Sequence, residues 1–417
     1  MFNLTRGTTQ QEGMEMTKMY CPYTYPGYPE GLEYPWIFPM PSEKERDLRW
    51  RTIRKAMERE GLDCVIVCTL PVFTPSSNHL FYISNYVPFG AKGVYVIFPL
   101  KGEPRLVINN AIGPQFVHFA TETAWIEDIV GTLDPPREIV ESIKQLHLQD
   151  SRLGVVGYEQ GLFPGPVYNA LRENLKEAVF FDGTSMLGEA MNEVTRRSLE
   201  EPLLVKQACE ILDFSFQAVA EVLRPGVTEC ELWAVAEREI IKNGGWPFHG
   251  MFVTSGPRPS FPRVPPSHRT LSRGDVVVFE INASYGGVNP QSCFAISLGV
   301  PAKDVQEMFA FSEELYQFSL SELEKQTVFM EIELEIGKRI REAGYEPMTP
   351  QIHIFNMSVV MPMEDSPKPG DYFTVHPNFA DPRYTIGAKL GDAVRISEQR
   401  RPERLQKTEA RLHIIPV

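Results

Sequence analysis

The side chains best suited to proton chemistry lie in two short apolar runs of the second half of the chain. Glu280 sits in Val276-Val-Val-Phe-Glu280-Ile-Asn-Ala, and His376 closes Asp371-Tyr-Phe-Thr-Val-His376-Pro. A carboxylate within hydrogen-bond reach of an imidazole orients its tautomer and raises its pKa, which makes a general acid/base pair. The plainer alternative is a buried ion pair joining two strands, since a buried carboxylate must be paired in any case. Arg258 follows a Ser-Gly-Pro turn, where it can clamp a substrate carboxylate through two parallel bonds or pair with a surface acid. His249, in Trp246-Pro-Phe-His-Gly250, is either a cavity residue or a satisfied structural histidine. Cys293 needs an activating base to act as a nucleophile and otherwise reads as a core thiol.

Glu280 and His376 are ninety-six positions apart, so long-range elements must bring them together. The patterning predicts an amphipathic helix from Glu43 stopped by Gly61, then strands at Asp63–Cys68, Gly93–Phe98, Arg105–Ile108 and Leu153–Val156. Helices near Pro136–Leu146 and Val167–Lys176 separate them, which is an α/β pattern. The second half opens with helices around Ser198–Leu223 and Glu229–Asn243, the latter with a capping box from Thr228 to Glu231. Strands at Met251–Ser255, Val276–Ala283 and Ala295–Leu298 follow. Helices at Asp304–Lys325 and Glu331–Ala343 come next, then strands at Asp371–His376 and Ala393–Ile396, an α+β pattern. Three segments are expected: an extended arm over 1–41 rich in Pro, Tyr and Gly, an α/β domain over 42–186, and an α+β domain over 187–417.

The chain has 417 residues, a formal charge of −13 and a pI near 5.3. That length allows two or three domains with a large core. The acidic balance argues against nucleic acid or an anionic membrane as partner. Six scattered cysteines lack paired metal spacing and suit a reducing compartment. With no apolar run of transmembrane length and no secretory leader at the start, a cytoplasmic protein is expected.

The stretch Arg273-Gly-Asp-Val-Val-Val-Phe-Glu-Ile-Asn-Ala-Ser-Tyr-Gly-Gly-Val-Asn-Pro-Gln291 resembles a motif of the pita-bread family, the aminopeptidase/prolidase/creatinase enzymes. Further resemblance runs through Leu223-Arg-Pro-Gly-Val-Thr-Glu229, Phe252-Val-Thr-Ser-Gly-Pro-Arg258 and Ser42 to Asn85. It implies a creatinase-like N-terminal α/β domain and a pita-bread C-terminal domain, usually as a homodimer. It also implies five ligands for two divalent ions, and the matching positions here carry Glu280, Gln291, Asn356 or Met357, His376 and Gly391. Glu364 falls where the family keeps a glutamate beside a second histidine. His353 is out of register for a ligand.

Glu280 and His376 should therefore share one cavity floor. With two good ligands and two amides, the expectation is no cofactor, or at most a single divalent ion at Glu280 and His376. The function expected is metal-independent hydrolysis or elimination on a small polar substrate, with creatinase as the family precedent. Glu280, His376 and Glu364 would be catalytic. Gln291, Asn356, Arg258, His249 and Tyr285 would bind substrate. A non-catalytic binding descendant and a mononuclear metal-dependent hydrolase or peptidase are the rivals.

Overall fold

The computed structural model describes residues 41–68, 79–87, 93–109, 117, 120–121, 123–247, 252–257, 259, 265–348, 350–354 and 364–416. The arm over 1–41 lies outside them except for its last residue, and so do His249, Arg258, Asn356 and Met357. The chain divides into two compact units, one up to Glu200 and one from Glu201.

The first unit is an α/β layer structure. Its helices are α1 (Glu43–Glu60), α2 (His79–Ser84), α3 (Pro135–Gln145), α4 (Gly165–Asn174) and α5 (Thr184–Arg197). Its strands are β1 (Cys64–Cys68), β2 (Val94–Pro99), β3 (Arg105–Asn109), β4 (Asp128–Thr132), β5 (Arg152–Val155) and β6 (Val179–Asp182). They form one sheet in the order β4-β3-β2-β1-β5-β6. All five residues of β1 are buried, because helices cover both faces of the sheet. Ile66, Val107 and Leu153 pack with Ile139, Ile143 and Leu171 of α3 and α4. On α1, Trp50 meets Phe98 edge-on at 5.7 Å. Gly61 ends α1 in the left-handed region (φ 66°), where a side chain would be strained. Helix α5 packs on α1, so a division after residue 186 would run through it.

The second unit has helices α6 (Glu201–Val222), α7 (Glu229–Lys242), α8 (Lys303–Glu324) and α9 (Phe329–Glu342). The capping box on α7 is present: Glu231 N donates to Thr228 Oγ1 at 3.2 Å, and Thr228 N donates to Glu231 Oε2 at 2.8 Å. The strands are β7 (Trp246–Pro247), β8 (Phe252–Gly256), β9 (Val276–Ser284), β10 (Gln291–Leu298), β11 (Glu346–Pro347), β12 (Ile352–Ile354), β13 (Tyr372–Val375), β14 (Asn378–Ala380), β15 (Gly387–Lys389), β16 (Asp392–Ile396), β17 (Pro402–Arg404) and β18 (Leu412–Ile415). They pair as β18-β10-β9-β7 with β8 also on β9, as β11-β14-β15, and as β12-β13-β16-β17. Helices α8 and α9 close a core of Phe309, Tyr316, Phe329, Phe373 and Phe379. Each such ring contributes roughly 1.5–3 kcal/mol by burial.

This is the expected class, an α/β domain followed by an α+β domain of the pita-bread type. The strands missed in the sequence, such as β12, β14 and β15, are three residues long. No periodicity can be read in so few residues.

Candidate active site

Strand β9 is built from β-branched residues that suit a pleated, buried surface, and eight of its nine residues are buried. Glu280 is the partly exposed one. It lies across the ladder from Cys293 of β10 and Phe252 of β8. The β9–β10 turn places Gln291 opposite Asn282, so Gln291 and Glu280 project from the same face two ladder positions apart. The Gln291 amide donates from Nε2 to Glu280 Oε1 at 2.6 Å. From the neighbouring strand β15, Lys389 places its Nζ 2.6 Å from Glu280 Oε2. The lysine side chain is 4% exposed and the glutamate side chain 12%.

Two histidines complete the cluster. His353, in the middle of β12, has Nε2 3.2 Å from Gln291 Oε1 and Nδ1 2.8 Å from the carbonyl of Ile354. His376, just past the end of β13, lies with its ring centre 4.8 Å from that of His353. Its backbone N donates to Gln351 O at 2.9 Å, which fixes where the ring can go. The Asn378 amide lies 3.3 Å from His376 Nδ1 and also donates to the His376 carbonyl at 3.1 Å, which holds the ring in place.

His353 faces two acceptors. A neutral imidazole donates once, and the bond to the Ile354 carbonyl is the shorter. Burial lowers the pKa of His353, with the Ile354 carbonyl opposing and Lys389 adding to the shift. The ring is therefore neutral near pH 7, and with Nδ1 donating to Ile354 its Nε2 lone pair faces the Gln291 Oε1 oxygen at 3.2 Å without a hydrogen bond. Burial pushes the Cys293 thiol well up, only partly offset by Lys389, so it stays a thiol rather than a nucleophile.

The structure thus brings together Glu280, Gln291 and two histidines, but not in the expected arrangement. Glu280 pairs with Lys389 and Gln291, and the histidine on Gln291 is His353, which the sequence register had set aside. Glu364 is exposed, in a turn whose next residue accepts a hydrogen bond from Phe329 N, and does not join the cluster. Tyr285 is buried in the β9–β10 turn five residues beyond Glu280. Lys389 and Asn378 were not singled out in the sequence, and His353 stood there only as out of register. Their only sequence signal was a polar residue inside a short apolar segment.

Comparisons with known proteins bear on this geometry. Metallopeptidase family M24 matches residues 204–398, and the Creatinase/Prolidase N-terminal domain matches residues 49–190. The chain belongs to the pita-bread family. A Xaa-Pro dipeptidase of Pyrococcus furiosus is 26% identical over 227 residues, 52% of this chain and 64% of that protein's length. One from Lactobacillus delbrueckii subsp. lactis is 22% identical over 295 residues, 69% of this chain and 76% of that protein. The solved prolidase of Thermococcus sibiricus superposes with a TM-score of 0.74 at 18% identity, covering 88% of this chain and 98% of its own.

These findings overturn the expectation of a metal-independent hydrolase or lyase, because the family is one of metallopeptidases and the relatives are dipeptidases. The expectation of no cofactor falls on the same ground.

The described side chains of this pita-bread protein, as they stand, do not fit the family's two ions. Among the described residues no three His, Cys, Asp or Glu side chains converge as ion ligands do. An ammonium already occupies one oxygen of Glu280. At Gly391, a Cβ would stand 1.9 Å from the Val375 carbonyl and 2.5 Å from His376 Cα, so no ligand side chain has room there. The crowding comes from β13, which pairs with β16 immediately after Gly391 (Val375 opposite Asp392), while two backbone hydrogen bonds of 2.8 and 3.0 Å hold Gly391 to Cys293. No helix among the described residues is long and apolar enough to cross a membrane.

Proposed function

We propose that this chain is a hydrolase of short peptides, as its dipeptidase relatives are, with its site at the Glu280–Gln291–His353–His376–Lys389 cluster. The observation that supports the reading is the cluster itself. Five polar side chains from β9, β10, β12, β15 and the end of β13 are gathered inside one domain, a costly arrangement for a purely structural core. Neutral His353 is suited to take a proton from an attacking water. The Gln291 amide and the Lys389 ammonium are donors suited to a peptide carbonyl oxygen as it gains charge. A homodimer, implied by the family resemblance, belongs to the same reading.

A second reading, binding of a short peptide without turnover, is favoured by the closed position at Gly391 and by Lys389 on Glu280. One assay separates them. The purified chain is incubated with Xaa-Pro and non-proline dipeptides plus Mn²⁺, Co²⁺ or Zn²⁺, and release of free amino acids is followed. Release with any ion is the expected result. Peptide binding by calorimetry without release would move the assignment to the second reading, and neither binding nor release would end both.

A further inference from the structure

We propose that Glu333 of α9 is a positioning residue for the cluster: it grips Gln351, and through Gln351 it sets where both His353 and His376 stand. Its bearing on turnover rests on the hydrolase reading above.

Helix α9 places Ile332 and Ile336 in the same core cluster as Ile352, Phe373 and Val375. Glu333, between those two isoleucines, is half-buried. Both of its carboxylate oxygens accept from Gln351 N at 3.0 Å. Burial pushes this carboxyl up, and the backbone N–H groups of Gln351 and Ile352 oppose the shift by favouring the charged form. A hydrogen bond to a charged acceptor is roughly twice as strong as a neutral one. The start of β12 is thus tied to a helix rather than left to the pairing of a three-residue strand.

Gln351 is fully buried and distributes that grip. Its carbonyl accepts from His376 N at 2.9 Å. Its side-chain Oε1 accepts from Asn378 N at 2.7 Å, and its Nε2 donates to Asn378 O at 3.3 Å and to Met348 O. Asn378 in turn sets its amide 3.3 Å from His376 Nδ1 and faces Lys389 across the β14–β15 ladder. His353 stands two positions beyond Gln351, so a shift of the glutamine carries along the strand to that ring. The two histidines come from different strands, yet both answer to one glutamine, and the glutamine answers to one carboxylate outside the cluster.

The test compares histidine-ring ¹H–¹³C spectra of the wild type, Glu333→Gln and Glu333→Ala, with His353 and His376 assigned from His353→Gln and His376→Gln. Glutamine keeps the length of the side chain but turns an NH₂ group toward N–H donors, and alanine removes the grip. In each variant both ring signals should move, while those of His79, His147, His268 and His413 hold their positions. Signals of His353 and His376 that stay in place overturn the proposal, as does movement of only one of them. Equal movement of the other four rings marks a general loosening and overturns it too. Should Glu333→Ala fail to fold, Glu333→Gln decides by the same criterion. In the dipeptide assay, Glu333→Ala should lower kcat about 100-fold with little change in KM, and an unchanged kcat overturns the proposal. If the wild type releases no amino acids, the ring signals still decide, so the two failures remain distinct.

Discussion

Two buried ion pairs flank Gly391 and are built differently. On one side, Asp392 is 1% exposed and saturated: Tyr316 donates to Oδ1 at 2.5 Å, and Arg404 donates to Oδ2 from Nε at 2.9 Å and also from Nη2. On the other, Glu280 meets a single ammonium and one amide, with its side chain 12% exposed. Tyr316 holds one oxygen of Asp392 and two nitrogens of Arg404 hold the other, which marks a structural pair. At Glu280 a point charge takes one oxygen and an amide the other, an arrangement in keeping with the proposed site. Two carboxylate–cation pairs, whose members Lys389 and Asp392 are three positions apart, are thus built to different degrees of closure.

The sharpest way to break the comparison is at its midpoint. Gly391→Ala puts a methyl group 1.9 Å from the Val375 carbonyl, so either β13 or Gly391 with its bridge to Cys293 must shift. A stability loss above about 4 kcal/mol is expected in urea unfolding. A near-neutral alanine would show that the strands are not locked there.

Next come the two carboxylates. Asp392→Ala strands Arg404 and Tyr316 and should cost about 3–4 kcal/mol. Glu280→Ala leaves an ammonium that can relax toward the partly open side and should cost about 2 kcal/mol. If Glu280→Ala proves the costlier change, the structural and functional labels exchange.

The smallest effect is in pH. Burial pushes the Asp392 carboxyl up to about 6, against Arg404 and Tyr316. The folded state then holds that proton better than the unfolded one, so this residue's contribution to stability falls as pH rises from about 4 to 6. His353 works in the opposite sense. Its folded pKa lies below 6.5, so the unfolded state binds the proton first and stability is lost as pH falls below about 6.5. Urea midpoints of wild type, Asp392→Asn and His353→Gln across pH 4.5 to 7.5 should show each variant losing its own slope. Parallel curves for all three would refute both assignments.

Much of the fold is legible from one sequence. Gly61 stops α1 as its position suggests, Thr228 and Glu231 form their capping box, and the Val276–Ala283 run is a buried strand. These features are local: a positive φ, a cap and a run of β-branched residues act within a few positions. Glu280, Gln291 and His376 were also reachable, because two lie on one hairpin and the third ends a clear strand. Lys389 and His353 were not. Each sits in a three-residue strand whose identity comes from its partners, Asn378 for Lys389 and Thr374 for His353.

The amino-acid sequence by itself determined the two-part architecture, the long helices and the carboxylate at 280, since periodicity and capping are properties of neighbours along the chain. Only the tertiary structure decided what that carboxylate meets. Strands β9, β10, β12 and β15, spread over residues 276–389, converge, and β13 presses against Gly391 until no side chain fits. That choice is made by packing, where each partner's position is fixed by the others and by none of them alone.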